Sequence, residues 1–471
     1  MTNLSGTNLN NGAAVGPQGE GRESPSTFPA YPTYKDSGVE WLGVVPEHWG
    51  VSPLKWLVEQ VTDKATTSDF QVGLENIEGW TGRFIETDTE FAGDGIAFRQ
   101  EDILFGKLRP YLAKVWLAGK SGQAVGDFFV LRPRAVNSEF LHKYILTPAV
   151  IEDLNASTIG AKMPRVGWED MAALAVTLPP DKEQTQIARF LDHETARIDA
   201  LIEEQQRLIE LLKEKRQAVI SHAVTKGLDP TVPMKDSGVE WLGEVPAHWA
   251  VCQVRHLMVG DTRNGLYKPE GEKDPDGVGF VQMGEAFRDR IFQGGVKDRV
   301  QASNTELKNW GLEEGDLLFA RRSIVLEGSG RCTRVGSLNE PHLFESSMIR
   351  IRLDLNRVSP EYLHLMFDSI GMRAQVLSTT KTVTISGIDS GQLKGLRVAV
   401  PAKSEQENIA AYLLSRIEAF DDAERAAMET TLLLQERRSA LISAAVTGKI
   451  DVRGWQPQAS ALAPELAKEA V

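Results

Sequence analysis

One stretch of this sequence is written twice: Lys35-Asp36-Ser37-Gly38-Val39-Glu40-Trp41-Leu42-Gly43 recurs letter for letter at residues 235–243, an offset of 200. The match extends through Val45-Pro46 and His48-Trp49, which correspond to Val245-Pro246 and His248-Trp249. An internal repeat of this kind indicates two copies of one structural unit within the chain.

A second repeated pattern follows each copy at a different offset. Glu183-Gln184 and Ile187-Ala188 match Glu405-Gln406 and Ile409-Ala410, an offset of 222. Because the two offsets differ by 22 residues, the part of the chain between the patterns is longer in the second copy. The predicted order is a short constant segment, a variable domain and a helix, followed by the same three again.

Two long helices are predicted, at 181–226 and 403–448, and apolar residues recur along both in steps of three and four. The predicted seams are Ile187, Leu191, Ile198, Leu201, Leu208, Leu212 and Val219 in the first, and Ile409, Leu413, Phe420, Ala423, Ala427, Leu434 and Leu441 in the second. Neither seam can stay exposed, and a whole domain must fit between the helices. We therefore expect the two helices to pack antiparallel against each other.

The ends of the predicted helices carry start and stop signals. The starts have the spacing of a capping box, and the ends have glycines suited to left-handed C-caps. These residues are Asp181 with Gln184, Ser404 with Glu407, Gly227 and Gly448.

Short apolar strands alternate with polar loops in both variable domains. Strands are predicted at 103–105, 128–131, 174–178, 317–319, 348–351 and 396–400, and helices at 138–146 and 360–368. The expected fold class is α+β: two globular domains joined by two long α-helices packed as an antiparallel coiled coil, with a pseudo-twofold internal repeat. The expected boundaries are a disordered tail at 1–30, a first domain at 31–180, a first helical region at 181–228, a second domain at 229–402, a second helical region at 403–454 and a C-terminal tail at 455–471.

Basic residues cluster at equivalent places in the two domains. In the first domain they are Lys107, Arg109, Lys114, Lys162 and Arg165, and in the second they are Arg321, Arg322, Arg331, Arg334 and Lys381, the last followed by Ser386. Such clusters are typical of phosphate contacts and of arginine forks on guanine. A solvated surface, or in the case of 162–165 and 381–386 a structural turn, explains the same residues without a ligand.

Motifs for catalysis and metal binding are missing from the sequence. Gly119-Lys120-Ser121 matches the end of a phosphate-binding loop, but Lys114 stands where that motif needs its first glycine. The eight histidines form no cluster of metal-ligand spacing. His48 and His248, beside repeated tryptophans, are explained by packing.

The composition is that of a soluble globular protein, with features that limit its environment. Cys252 and Cys332 cannot form a disulfide framework, which fits a reducing cytoplasm, and no apolar run is long enough to span a membrane. Residues 1–29 have neither the apolar core nor the basic leader of a signal peptide. The net charge of −13 would repel DNA phosphates if it were evenly spread, so binding to DNA would require clustered basic residues or contributions from partners.

The duplicated arrangement resembles the specificity subunit of type I restriction-modification systems over roughly residues 31–454. The resemblance rests on the repeated segment before each domain and on the Leu178-Pro179-Pro180 entry into a helix bearing Glu183-Gln184. Ile103 to Tyr111 also resembles a stretch common in such domains.

The resemblance implies that each variable domain is a target-recognition domain for one half of a bipartite site in double-stranded DNA. Two modification subunits would bring S-adenosylmethionine and methylate adenine, and restriction subunits that use ATP and magnesium would translocate and cleave DNA. No catalytic residue, cofactor or metal is expected in this chain itself. The residues expected at subunit interfaces are Trp41, Trp241, Leu201, Leu208, Leu212, Phe420, Leu434 and Leu441.

Two other functions fit parts of the pattern. One is the specificity subunit of a type IIB or IIG-like system, in which one partner both methylates and cuts. The other is a scaffold whose helices space two protein-binding domains, a role that the acidic charge would suit. A DNA-binding assay with one target sequence and a scrambled control distinguishes the scaffold from the DNA-binding subunits.

The missing motifs predict that the pure chain has neither nuclease nor methyltransferase activity. Incubation with plasmid, S-adenosylmethionine and magnesium should leave the DNA uncut and unmethylated. Turnover that survives stringent purification would contradict this prediction.

Overall fold

The structure, a computed structural model, describes residues 28–65, 70–89, 93, 95–158, 160, 162–323, 326–379, 381–382 and 386–457. The chain forms two compact units: one runs to Glu204 and resumes at Thr430, and the other spans Gln205–Glu429. Each unit contains one repeated segment, one α+β domain, the start of one long helix and the end of the other. This arrangement confirms the predicted fold class.

The first unit contains the following elements. Its strands are β1 Tyr34–Asp36, β2 Val44–Pro46, β3 Gly50–Pro53, β4 Val58–Val61, β5 Gln71–Val72, β6 Ile96–Phe98, β7 Ile103–Gly106, β8 Val115–Leu117, β9 Gly122–Ala124, β10 Phe128–Pro133 and β11 Ala175–Leu178. Its helices are α1 Ser138–Ile145, α2 Pro148–Ala156, α3 Trp168–Ala173 and the first part of the long helix α4 Asp181–Lys226.

The main sheet of the first domain has the order β4-β10-β7-β8, with antiparallel neighbours. Val130 of β10 lies opposite both Val61 of β4 and Leu104 of β7. Strand β7 is buried along its whole length, which explains its unbroken apolar run. The predicted strands at 103–105 and 128–131 and the helix at 138–146 are confirmed.

The second unit repeats this plan with a longer domain. Its strands are β12 Met234–Asp236, β13 Glu244–Pro246, β14 Ala250–Gln253, β15 Arg263–Asn264, β16 Lys273–Val281, β17 Ile291–Phe292, β18 Arg299–Val300, β19 Leu317–Ala320, β20 Arg322–Ser323, β21 Cys332–Val335, β22 His342–Phe344, β23 Met348–Ile351, β24 Lys381–Thr382, β25 Ser386–Gly387 and β26 Arg397–Val400. Its helices are α5 Met283–Ala286, α6 Asn304–Trp310, α7 Pro360–Phe367, α8 Ile370–Thr379, α9 Ser390–Gly395 and the first part of the long helix α10 Lys403–Val446.

The main sheet of the second domain has the order β15-β23-β19-β21-β17. Its strand β19 is buried throughout, like β7 in the first domain. Smaller sheets have the orders β18-β16-β22 and β20-β25-β24. Helix α7 begins as predicted, because the Ser359 hydroxyl accepts a hydrogen bond from the Tyr362 amide and Pro360 occupies the first turn.

The two long helices pack antiparallel within each unit. In the first unit, Ile187 and Leu191 near the start of α4 share a core with Leu441 and Val446 near the end of α10. In the second unit, the end of α4 and the start of α10 share a core that includes Ile220, Val224, Ile409 and Leu413. The contact of starts with ends confirms the predicted direction.

The predicted seam of α4 is wrong by one position in its middle. Leu201 and Leu208 are 46% and 41% exposed, whereas Ile202 packs against the core of the first unit. The shift arises because Thr195, nearly fully buried, occupies the inner position between Leu191 and Ile198. Steps of three and four from Thr195 lead to Ile202, and the outward residues follow from that register.

In α10 one predicted seam position is also wrong. Ala423 is exposed, while the neighbouring Glu424 is partly buried and lies 3.2 Å from the Lys213 ammonium of α4. An interhelical ion pair, which apolar periodicity does not reveal, therefore sets the inward face at this point.

The predicted caps Asp181 and Ser404 lie inside the helices, which begin at Asp181 and Lys403, and the Gln184 side chain binds elsewhere. The Gln184 side-chain oxygen accepts a hydrogen bond from the Asn137 amide at 2.7 Å, and its nitrogen donates to the Pro179 carbonyl at 2.9 Å. Gln406 makes the same bonds with Ser359 and Pro401 at 2.7 and 2.9 Å. Each buried glutamine ties the start of a domain helix, α1 or α7, to the start of a long helix.

Each repeated segment is held by the glutamate that precedes this glutamine. The indoles of the fully buried Trp49 and Trp249 donate to Glu183 and Glu405, each at 3.0 Å. His48 lies 2.8 Å from the other oxygen of Glu183, and His248 makes the equivalent contact at 2.9 Å. Packing alone was therefore an incomplete explanation of these histidines, because both bind the glutamates of the second repeated pattern.

The glycines that follow the long helices adopt left-handed backbone conformations, as predicted. Gly227 has a φ of +77° and Gly448 a φ of +74°. A Cβ atom on Gly448 would approach the ring of Pro46 to 2.3 Å, so this position also needs the absence of a side chain. The end of each long helix therefore closes on the repeated segment of its own unit.

The ends of the described chain meet at the start of α4. The Asp451 amide donates to the Pro29 carbonyl at 2.7 Å, and the ring of Phe190 lies 5.1 Å from Phe28 and 5.2 Å from Trp455. In the second unit the corresponding connection is covalent, through residues 227–234. Noncovalent contacts thus join the end of α10 to the segment before β1 in the first unit, whereas the chain itself joins the end of α4 to β12 in the second.

Both domains bury a histidine at positions related by the 222 offset. Burial lowers the pKa of His142 to about 3 and also lowers the pKa of His364. The His142 Nε2 lies 3.2 Å from the Val115 carbonyl and donates to it, so the folded state holds a neutral ring.

These histidines predict that the free energy of unfolding falls as the pH drops below about 6.5, where the unfolded histidine takes up a proton that the folded one does not. Between pH 7 and pH 5, His142 alone should contribute a loss of about 2 kcal/mol. The measurement is chemical denaturation of the full chain and of His142→Gln, which keeps a donor but cannot titrate in this range.

The difference between the two proteins should shrink as the pH falls. The exposed His222→Gln serves as the matched control and should retain the pH dependence of the parent. Parallel pH profiles for the parent and His142→Gln would contradict the assignment of a neutral buried ring.

Candidate nucleic-acid interface

The two cationic segments of the first domain lie side by side. After β7 ends, the Arg109 amide donates to the Pro164 carbonyl at 2.8 Å, and the Val166 amide donates to the Lys107 carbonyl at 3.2 Å. Leu108 pairs with Arg165 in a short antiparallel bridge. Segments that are far apart in sequence therefore form one surface, which we call the first cationic surface: Lys107, Arg109, Lys162 and Arg165.

The side chains of the first cationic surface differ in how free they are. Arg109 and Lys162 are exposed, and within the described part of the chain neither has an acidic partner. The Arg165 guanidinium lies 2.8 Å from Asp127 but remains 56% exposed, and the Lys107 ammonium lies 5.2 Å from the ring centre of Phe129. The surface therefore offers two free cations and one weakly held arginine to an anionic partner.

The backbone in this loop is fixed in an uncommon conformation. Arg109 has a φ of +52° and Ala113 a φ of +47°, and Pro110–Leu112 forms a single 3₁₀ turn between them. Non-glycine residues adopt the left-handed region rarely, and such residues cluster at ligand-binding sites. Tyr111 is exposed in the same turn.

The second domain joins its two predicted segments in the same way. Arg322 and Ser323 of β20 pair with Gly387 and Ser386 of β25, which in turn pairs with Lys381 and Thr382 of β24. The Ile388 amide also donates to the Arg321 carbonyl at 3.0 Å. The loop after the central buried strand thus pairs with the segment before the last strand in both domains.

Arg331 lies beside this ribbon, because the Ala320 amide donates to its carbonyl at 2.9 Å. We call Arg321, Arg322 and Arg331 the second cationic surface. Arg322 and Arg331 are exposed, and neither has an ion-pair partner among the residues that the structure describes. Residues 324–325 and 383–385 of these segments lie outside the described residues.

Lys114 and Arg334, which were predicted to bind DNA, are engaged away from both surfaces. The Lys114 ammonium donates to the Leu74 carbonyl at 2.6 Å, and the Arg334 guanidinium lies 3.2 Å from Glu361 with only 12% of its side chain exposed. Both groups are engaged inside their domains, so their place on a binding surface is corrected. Sequence proximity to a basic loop cannot show that a side chain turns inward.

A buried ion pair precedes each cationic loop and was not predicted. Asp102 accepts two hydrogen bonds from Arg132 at 2.9 and 2.7 Å, and Asp316 accepts two from Arg352 at 2.9 Å each. These bonds raise the pKa of the two arginines. The repeated Asp-Ile/Leu-Leu-Phe pattern was the available signal, because the acid directly precedes a buried strand.

The predicted subunit-interface residues divide by burial. Leu201 and Leu208 are exposed, and Trp41, Trp241, Leu212, Phe420 and Leu434 are partly buried. Leu441 is 4% exposed inside the core of the first unit, so it seals the helix pair and cannot contact another subunit. Its inclusion was wrong, because a heptad position does not distinguish an internal contact from an external one.

Within the described residues, no group of three or more histidine, cysteine or acidic side chains could hold a metal ion. A search of the described helices also found none that is long and apolar enough to cross a membrane.

Comparison with known proteins matches residues 81–212 to the family model of the type I restriction modification DNA specificity domain. The chain is 24% identical over 446 residues to the type I restriction enzyme EcoKI specificity subunit of Escherichia coli K12, covering 88% of this chain and 92% of that subunit. It is 21% identical over 422 residues to the MjaVIII specificity subunit of Methanocaldococcus jannaschii, covering 87% and 94%.

Solved structures share the fold. The HsdS subunit of Thermoanaerobacter tengcongensis superposes with a TM-score of 0.51 at 17% identity, over 86% of this chain and 98% of that one. A chain from a study of complex assembly and conformational transition of the type I R-M system gives a TM-score of 0.64 at 18% identity, over 85% and 98%. Residues 81–212 are thus similar to a type I DNA specificity domain, and the solved structures show the same fold. With its duplicated plan, the chain resembles type I specificity subunits over most of its length.

Proposed function

We propose that this chain is the DNA-recognition subunit of a type I restriction-modification complex, in which each domain recognises one half of a bipartite site. The observation that supports this most strongly is the equivalent backbone pairing that forms the two cationic surfaces. Both surfaces lie after the central buried strand of their domain. Two copies of one recognition device suit a target with two separated halves.

The chemistry of these surfaces suits double-stranded DNA. Exposed lysines neutralise backbone phosphates, and a guanidinium presents paired donors to the O6 and N7 acceptors of guanine. The net charge of −13 makes this clustering significant, because an acidic chain can approach DNA only where cations are concentrated. Partner subunits would supply further phosphate contacts.

We infer that the chemistry itself belongs to partners. Two modification subunits would bring S-adenosylmethionine and methylate adenine, and restriction subunits would use ATP and magnesium to translocate and cleave the DNA. The role of this chain is to position these subunits on one DNA sequence. It would contribute no catalytic group of its own.

The two cationic surfaces predict independent effects on the two halves of the site. Replacing Arg321 or Arg322 with Ala should weaken binding of the cognate site by ~1–3 kcal/mol if the arginine forks onto a guanine. Arg109→Ala should act in the same way on the other half-site. The measurement is competition binding by the assembled complex against DNA with substitutions in one half-site at a time.

The matched control is Arg255→Ala, an exposed arginine of the same unit outside the second cationic surface. It should leave cognate binding unchanged. Equal loss of affinity on cognate and random DNA would reduce Arg322 to a phosphate contact, and unchanged binding by every surface variant would contradict the proposed recognition surfaces.

We further propose that the helix pair sets the unread gap between the half-sites. In the first unit Arg438 of α10 lies 2.9 Å from Asp199 of α4, and in the second unit Arg216 lies 2.6 Å from Asp421. The offset of 222 relates these two ion pairs, and each fixes the register of the helices in its unit.

Deleting 202–208 together with 424–430 removes one heptad from each helix between the two ion pairs. The face that each helix turns toward its partner is retained because it repeats every seven residues. Each helix shortens by about 10 Å. That is roughly three base-pair steps, so the gap in the methylated site should change while both half-sites stay the same. The measurement is methylome sequencing of cells that express the variant.

The single deletion of 202–208 is the control. It places the two ion pairs out of register with each other and should abolish methylation through loss of folding. An unchanged gap in an active complex that carries the double deletion would show that the helices do not set the spacing.

A further inference from the structure

The two units differ where the domain meets its long helices. In the first unit, the loop that lies over the buried His142 carries Arg83, which reaches Asp199 at 3.1 Å and Glu203 at 3.1 Å on α4. Gly82 of this loop packs so closely on the His142 ring that a Cβ atom would lie 2.6 Å from Nε2. The space between this domain and its helix is filled by the protein itself.

The second unit leaves the corresponding space open. Arg290, beside the equivalent buried His364, pairs with Asp368 of its own domain at 2.9 Å. Asp421, the counterpart of Asp199, pairs with Arg216 of α4. A cavity of about 520 Å³ is lined by these groups together with Arg288, Arg331 and Arg373. This volume lies in the range of small-molecule sites.

The lining of this cavity has five arginines and four acids, so it carries one excess positive charge, and three of the arginines lack an ion-pair partner in the part of the chain that the structure describes. Arg288, Arg331 and Arg373 have no ion pair within the described residues, and the remaining acids of the lining, Asp289 and Glu327, form none with them. Two cations and one half-buried guanidinium thus face the same space without a bound carboxylate. A nearby anion would relieve their mutual repulsion.

Arg373 shows this deficit most directly. Its Nη2 donates to the carbonyls of Glu327 and Ser329 at 2.7 and 3.1 Å, but its Nη1 is buried without a hydrogen-bond partner. A buried donor left unpaired is costly, and native proteins rarely keep one without a ligand or a role. Burial lowers the pKa of the Arg373 guanidinium, and the neighbouring Arg331 lowers it further, while Asp368 offsets part of the shift.

We propose that this arginine pocket binds a phosphate group. Paired guanidinium donors match the oxygens of a phosphate, and arginine is the side chain best suited to hold phosphate by two parallel hydrogen bonds. The group could belong to a free phosphate compound or to the DNA backbone; only the second source rests on the proposed function, because Arg331 is shared with the second cationic surface.

The test is titration of the full chain with inorganic pyrophosphate at fixed ionic strength, followed by calorimetry and by thermal unfolding. Saturable binding and a rise in Tm are expected. Arg331→Gln and Arg373→Gln should weaken binding at least tenfold, and Arg331→Lys should recover part of it. The exposed Arg207→Gln on α4 is the matched control and should bind like the parent.

A second arm separates the two sources. If the phosphate belongs to DNA, cognate DNA should displace pyrophosphate, and Arg331→Gln should reduce the slope of log affinity against log salt by about 0.9. If the ligand is a free phosphate compound, DNA should leave pyrophosphate binding unchanged. Failure of DNA recognition would leave the pyrophosphate result standing, so the two proposals fail separately.

Absence of saturable pyrophosphate binding together with an unchanged salt slope would overturn the pocket. Equal binding by Arg331→Gln and Arg207→Gln would do the same. Because Arg331 is exposed, its substitution should preserve the fold even if Arg373→Gln does not, and the thermal unfolding curves check this directly.

Discussion

The structure depends on one buried contact made twice, between the glutamate-glutamine pair at the start of each long helix and the constant parts of its unit. Glu183 and Glu405 each bind a tryptophan and a histidine of the repeated segment, while the following glutamine holds the start of α1 or α7. Glu183, Gln184 and Gln406 are buried, so losing a partner there leaves an unsatisfied polar group at a cost of about 1–3 kcal/mol, whereas Glu405 is partly exposed. The contact explains why two short patterns persist although the domains between them differ in length.

These contacts fix each domain where it meets its long helices, and the loops after the central buried strand can differ. The buried strands β7 and β19 and the ion pairs Asp102–Arg132 and Asp316–Arg352 are shared, whereas the loops that follow them differ in length and sequence. The space between the domain and its long helices also differs between the units. In the first unit Arg83 reaches α4, and in the second this space is the arginine pocket. The two units therefore share these strands and ion pairs, while the loops that follow them differ.

The sequence was sufficient for the repeat, the α+β class, the buried strands and the antiparallel helices, because these follow from identity and apolar periodicity. Apolar periodicity wrongly predicted that Leu201, Leu208 and Ala423 face the partner helix. Polar residues set the inward face at these points, namely Thr195 and the Lys213–Glu424 ion pair. The sequence also placed Lys114 and Arg334 on a binding surface. Only three-dimensional packing shows that these cations bind groups within their own domains. The pairing of Lys107–Arg109 with Pro164–Val166 joins segments whose distance no local pattern encodes.

We propose that one chain carries the recognition of both halves of a bipartite DNA site. Single-molecule methylome sequencing of the host, with and without this gene, tests it most directly. Deletion of the gene should remove adenine methylation from one motif made of two specific half-sites around an unread gap, and the intact gene should restore it. If deletion left methylation of every motif unchanged, or removed it from a motif without two separated halves, the proposal would be wrong.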